Sequence, residues 1–422
     1  MPANHQAIPD SVKRWLILIL ACLLFVLSQF YRASVTVISP DLIQALAIDT
    51  RQLSLISAAF FYAFAMTQIP ITMYLDGIGP RISMSVLSLI AVIGAIVFAT
   101  GHSVTALVTG RVLMGIGMAC NLMGTLKLIT LWFTPRHFAT LSALVISAGT
   151  VGNLIAATPL VLMAQSMGWR NSFFMIGAIN LFLAFLFYVI TRDRPSESIV
   201  QDVPRAASTK LTEIARSLHH LIKEKDYWII SLGTFCRYGI FAAVQSLWAG
   251  PFLIHAIGLT AVSAGNLLIL MSIGIVIGSP LYGWLSDTAL RNRKGVIVSG
   301  LIAMAVILII LSMLSSGTGM TVLGILFFPF GFFASGGTIM YTHIKERMPP
   351  ESAGAAMTGI NFFTMVGGAV FLQGLGNMMQ CLYPEDSLGT EAFIVAFLFC
   401  AVCLGITAVL YLFTVETLGK KK

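Results

Sequence analysis

The sequence predicts an all-α polytopic membrane protein with twelve transmembrane helices. Three observations carry that expectation. First, 57% of the 422 residues are hydrophobic and only 10% are charged, against roughly 25% charged in a soluble domain. Mean hydropathy is +0.91. A water-soluble fold cannot hide that much apolar surface at this size, which excludes a soluble enzyme and a disordered chain. Second, apolar runs of about 20 residues, the length that crosses the hydrocarbon as a helix, recur along the whole chain. Third, one long polar segment, residues 192–226, divides these runs into two equal sets.

The first run, 15–39, follows the polar MPANHQAIPDSVKR, lacks a signal-cleavage pattern and is long enough to remain as a span. It contains Arg32 and ends at Pro40. Runs at 53–75 and 82–101 flank the turn LDGIGPR, with Asp76, Gly79 and Arg81. The fourth, 105–131, carries GRVLMGIG with Arg111 and, near its end, Lys127. The fifth, 138–163, has Gly149, Gly152 and Pro159, and the sixth, 172–191, opens at GWRNSFF. In the polar segment, Leu211, Ile214, Leu218, Leu221 and Ile222 follow helical spacing, which predicts an amphipathic surface helix. The seventh run, 227–254, holds Arg237 and QSLWAGPFL. The eighth, 262–285, leads into GWLSDTALRNRKG, with Asp287, Arg291 and Arg293. Four more follow at 296–316, 319–343, 354–378 and 391–415. Cys400 and Cys403 form a C-x-x-C inside an apolar run, where redox or zinc chemistry would lack polar support. No cofactor and no metal site is expected. Three units result: a six-helix N-terminal bundle (1–191), a linker (192–226) and a six-helix C-terminal bundle (227–422).

Charge orients the chain. With both termini on one side, that side collects Lys13, Arg14, Arg81, Arg136, Arg291, Arg293, Lys294, Lys345, Arg347 and the bases of the linker and C-terminus. The other side has only Arg51 and Arg170. The positive-inside rule then predicts cytoplasmic termini, in a bacterial inner membrane. The net charge of +8 therefore reflects topology rather than nucleic-acid binding.

The two acid–base turns occupy matching places in the two halves. Together with GRVLMGIG, GWRNSFF and QSLWAGPFL, they make the chain resemble the major facilitator superfamily of secondary transporters over nearly its whole length. The first turn departs from the family pattern, with Thr72 in place of the leading Gly and Gly77 in place of the base after the acid. The resemblance implies two pseudo-symmetric six-helix bundles around a midplane cavity, alternating access, and no enzymatic activity. It also implies conformational roles for Asp76, Arg81, Arg111, Asp287 and Arg291.

None of the seventeen Asp and Glu falls at midspan, and no His is central. Arg32, Arg111, Lys127 and Arg237 do lie within runs. A guanidinium in low dielectric needs compensation, and an anionic ligand held in its planar fork supplies it. Arg32 and Arg237 are expected to face the cavity from the first and seventh spans and to bind a small organic anion, a carboxylate or phosphate ester. The organophosphate and organic-anion branches of the superfamily, which this chain resembles at FYR and CRYGI, carry an Arg in the same two spans. If Pro40 and Pro251 align, the two groups are staggered by about 9 Å along the axis, which suits a multi-acid substrate. Tyr31, Tyr62, Trp248, Gln245, Asn121, Asn153 and Asn361 are the polar and aromatic candidates for completing the pocket. Lys127 is expected to snorkel to the interface.

With no titratable group at midspan, exchange of anions or a substrate-borne proton is the expected coupling, with Asp41 as an alternative relay. The partners are thus the lipid bilayer, an anionic small molecule, and a proton or counter-anion. Proton-coupled efflux of hydrophobic or cationic compounds is the alternative function; it calls for a cavity carboxylate that these spans lack.

Overall fold

The computed structural model describes residues 10–193 and 221–418. The amphipathic helix expected around Leu211, Ile214 and Leu218 lies outside the described residues, as does most of the linker. Among the described residues, eleven helices are long and apolar enough to cross a membrane. Helix Thr50–Gly77 takes the place of the second expected span and completes twelve. Large side chains such as Ile93, Phe185, Val402 and Val409 are half or more exposed on the outer faces. Lipid is the solvent for these surfaces.

Helix ends follow local chemistry. Ser103, Thr260 and Asn292 accept a backbone N–H at the starts of the fourth, eighth and ninth spans. Gly79 (φ 92°) and Gly168 (φ 82°) supply left-handed turns between spans, and Pro80 opens the third helix.

Several spans are broken, and the breaks fall on the faces where the helices meet. The first span is helix Asp10–Ala33 and helix Val35–Leu46, interrupted at Ser34. The fourth divides into Val104–Met118 and Asn121–Trp132, and the tenth into Met320–Ala334 and Gly337–Arg347. The seventh, Lys225–Ala256, is widened by π-helical turns at Val244–Trp248 and Phe252–Ala256. A break inside a membrane frees carbonyls, and each must find a donor within the protein. Ser28 Oγ donates to Met118 O (3.3 Å) and Gln68 Nε2 to Ala119 O (3.1 Å). Arg111 donates to Tyr31 O, and Arg237 to Ala334 O.

The two bundles meet on the face opposite the termini. Thr36 Oγ1 donates to Gln245 O (2.8 Å), Thr158 Oγ1 to Asn266 Oδ1 (2.7 Å), and Thr50 Oγ1 pairs with Ser387 Oγ (2.6 Å). Small residues permit the approach: a Cβ on Gly250 would strike the Thr36 carbonyl, and one on Gly376 would strike Ser54.

Candidate functional site

The first and seventh spans face each other through Arg32 and Tyr238. Arg32 Nη1 donates to Tyr238 Oη at 2.8 Å, from one bundle to the other. The guanidinium lies 4.8 Å from the Phe64 ring centroid and 5.8 Å from that of Phe61, both in the second span. Cation–π contact offsets part of its desolvation. Arg32 Nε is buried with no hydrogen-bond partner. Among the described residues no carboxylate pairs with Arg32. Behind Tyr238, Tyr341 Oη donates to Asn361 Oδ1 (3.0 Å) and lies 3.3 Å from Thr364 Oγ1. Tyr341 is within electrostatic range of both Arg32 and Arg237.

Arg237 takes a different place. It is 7% exposed, donates to the carbonyl at the tenth-span break, and packs its guanidinium against Gly337, so that a side chain there would have to displace it. It points into its own bundle rather than across the gap or out to the headgroups. In the other half, Ser28 of the first span donates to a carbonyl at the fourth-span break. Arg237 Nε, like Arg32 Nε, is buried with no hydrogen-bond partner, and Tyr341 lies near both guanidiniums.

Other expected pocket residues are likewise turned inward. Tyr31 is fully buried against Phe30 and Phe173 inside the N-terminal bundle. Asn121 is buried and donates to Leu24 O (3.0 Å). Trp248 is 1% exposed and donates to Leu372 O (3.2 Å). Gln245 donates to Ser272 Oγ (3.3 Å) while its carbonyl accepts from Thr36. These are interhelical bonds that a polar group in lipid is driven to make. Asn361, Tyr62 and Asn153 are partly buried, and Asn361 belongs to the Tyr341 cluster. Arg111 is fully buried, donating also to Ile56 O and stacking 4.9 Å over Phe60; it ties the first, second and fourth spans together. Lys127 donates to Leu75 O (2.5 Å), close to the end of the second span at Gly77.

The terminus face carries the charged turns. The Asp76 side chain lies outside the described residues. Arg81 donates through Nε to Tyr188 O (2.9 Å), and its backbone N–H is capped by Asp193 (2.8 Å). In the second copy, the base that pairs with Asp287 is Arg293, at 2.6 Å, and not Arg291. Arg291 is exposed and sits at φ 47°, a turn position that aims it away. Arg293 also grips Glu346 through two bonds of 2.6 Å. Arg347 pairs with Asp226 at 2.5 Å. Glu416 caps the ninth helix, accepting from the backbone of Arg293 (3.1 Å) and Lys294 (2.8 Å). Burial alone would raise its carboxyl, but those N–H groups, with Leu418 and Thr417, outweigh burial and hold it below its ordinary value of 4.5.

Sequence reasoning missed Tyr238, Tyr341, Phe61 and Phe64, whose types are common in any apolar span. It also missed Glu346, Asp226 and Glu416 as partners, because they lie 53 to 189 residues from the groups they bind. The adjacency of Tyr238 to Arg237 was the one available signal.

Comparison with known proteins fits this architecture. A probable sulfoacetate transporter of Cupriavidus necator is 26% identical over 65% of this chain and 65% of its own length. A probable hexose phosphate transport protein of Chlamydia trachomatis is 23% identical over 90% of this chain and 86% of its own. A probable L-galactonate transporter of Escherichia coli is 24% identical over 72% of this chain and 70% of its own. The chain thus spans a little under two thirds of the first relative and most of the second. These relatives are transporters, not enzymes. In fold, the inward-open xylose transporter of E. coli superposes with a TM-score of 0.75 at 16% identity, covering 96% of this chain and 98% of that one. A bacterial homologue of the human lysosomal transporter Spinster, inward-facing and occupied, also gives 0.75, at 20% identity, with 94% and 96% covered. With the family's sequence pattern matching residues 20–372, the chain belongs to the Major Facilitator Superfamily of secondary transporters.

Proposed function

We propose that the chain moves a small organic anion, a carboxylate or phosphate ester, by alternating access. The observation that carries this reading is Arg32, a cation at the junction of the bundles with no protein carboxylate beside it and a buried donor, Nε, left open. A carboxylate or phosphate oxygen satisfies such a donor with a charge-assisted bond, about twice as strong as a neutral one. Asn361, Tyr62 and Asn153 are the partly buried polar groups available to the rest of the ligand. The relatives named for sulfoacetate, hexose phosphate and galactonate support an anion without choosing one. The bundles 1–191 and 227–422 are the units that tilt. The turns at Asp76–Arg81 and Asp287–Arg293 are the places where their terminus-face ends rearrange. Cytoplasmic termini follow from the charge asymmetry, and the bacterial relatives favour a bacterial membrane.

A thermal-shift series on the purified protein tests the proposal, with sulfoacetate, glucose 6-phosphate, galactonate and glucuronate as probes. A specific ligand at a hundredfold excess over its Kd stabilises by about 2.7 kcal/mol. One probe should raise the melting temperature of the wild type and leave Arg32→Gln unmoved. Equal stabilisation of both proteins by a neutral sugar or an organic cation would overturn the anion reading.

A further inference from the structure

We infer that Tyr238 is the residue that makes reorientation depend on a bound anion. In the ligand-free protein its hydroxyl holds Nη1, one of the Arg32 donors that a bound anion takes in addition to the open Nε. The inference rests on the anion reading and adds the coupling to it.

The geometry is specific. The Arg32–Tyr238 bond spans 206 residues and joins the two bundles at 2.8 Å. Both ends are presented rigidly. Arg32 closes the first half of a broken helix, its guanidinium held by the rings of Phe61 and Phe64. Tyr238 is fixed from either side along the chain. Arg237 before it is anchored to Ala334 O and packed on Gly337, and Gly239 after it presses on the backbone of Gly367. Tyr238 therefore cannot follow Arg32 when the bundles tilt; the bond must break. A broken bond leaves a guanidinium in low dielectric with only ring faces beside it, which is costly. A bound anion removes that cost. An anion with several oxygens that reaches the open Nε also presents a charged oxygen to Nη1, where it outcompetes the neutral phenol, and it travels with Arg32 as the bundles move. The empty carrier is therefore tied and the loaded carrier is released, which is the behaviour of an obligate exchanger.

Tyr238→Phe keeps the ring and its packing but removes the hydroxyl. Two measurements on the full chain test the inference. In the ligand-free protein in lipid nanodiscs, amide hydrogen exchange should speed up at least about threefold in peptides covering 35–46 and 244–256, where the bundles meet. An untied carrier opens there more often, and exchange reports such opening. Unchanged exchange in both peptides would overturn the tie, whatever the substrate. In proteoliposomes loaded with the radiolabelled probe that stabilises the wild type, Tyr238→Phe should retain anion exchange. Net efflux into anion-free buffer should rise at least about threefold relative to exchange, and half-saturation should fall several-fold because the competing phenol is gone. A constant ratio, or a weaker apparent affinity, would assign Tyr238 to packing or direct ligand contact and overturn the proposal. If no anion probe stabilises the wild type but the ligand-free exchange accelerates as stated, the tie stands and the anion reading fails.

Discussion

Replacing the three members of the Arg293 cluster one at a time should rank them in an order set by exposure, not by distance. All three of its charged hydrogen bonds are 2.6 Å long. The Asp287 side chain is 59% exposed, the Glu346 side chain 32%, and Arg293 only 8%. Water screens the first leg almost fully, so Asp287→Asn should cost below about 1 kcal/mol. The bidentate Glu346 leg is better shielded. Breaking a fully buried pair costs about 3–5 kcal/mol, and discounting for one third exposure leaves about 2–3 for Glu346→Gln. Arg293→Gln loses both legs and should cost about 2–4 kcal/mol, while the main-chain cap on Glu416 is untouched. For a bundle-sized unit each kcal/mol corresponds to about 2–4 °C in melting temperature. Thermal unfolding of the purified variants, followed by tryptophan fluorescence, should therefore give Arg293→Gln the largest drop and Asp287→Asn the smallest. If Asp287→Asn destabilises as much as Glu346→Gln, exposure is not what weighs these pairs, and the reasoning fails.

Two further outcomes follow from the same structure. Gly337→Ala places a methyl group on the Arg237 guanidinium and should cost about 1–3 kcal/mol by overpacking. In an Arg237→Met background it should cost at least about 0.5 kcal/mol less, and full additivity in that double-mutant cycle would contradict the packing. Glu416 is held below 4.5 when folded, so the unfolded chain binds the proton more readily. Its contribution is complete above pH 4.5 and is lost as pH falls through the lower folded value. Glu416→Gln should flatten that acid limb of the stability curve and change little else about its shape, as measured by melting temperature from pH 3 to 7.

Reading forward from the chain, the apolar spans and the charge asymmetry of their connections were legible because lipid imposes them locally. A helix of fixed length must be apolar, and its flanking charges set its direction, whatever its neighbours do. The intramembrane arginines were legible for the same reason, since a charge stands out in an apolar run. What each arginine does was not legible. Arg111 and Arg237 each bond a carbonyl freed where a helix breaks, at Ser34 and at Ser335–Gly336, and Arg111 adds Ile56 O from an unbroken helix. Those breaks depend on how the helices pack. Arg32 differs from them in being partly exposed and in meeting a phenol of the opposite bundle instead of a carbonyl of its own. Likewise Asp287 selects Arg293 over Arg291 because the positive φ at Arg291 turns one base outward while Glu346, on another span, draws the other inward. Sequence alone determined which groups needed a partner in a medium without water. Tertiary structure decided which partner, because hydrogen bonds are short-ranged and their geometry is set by helices far apart in the chain.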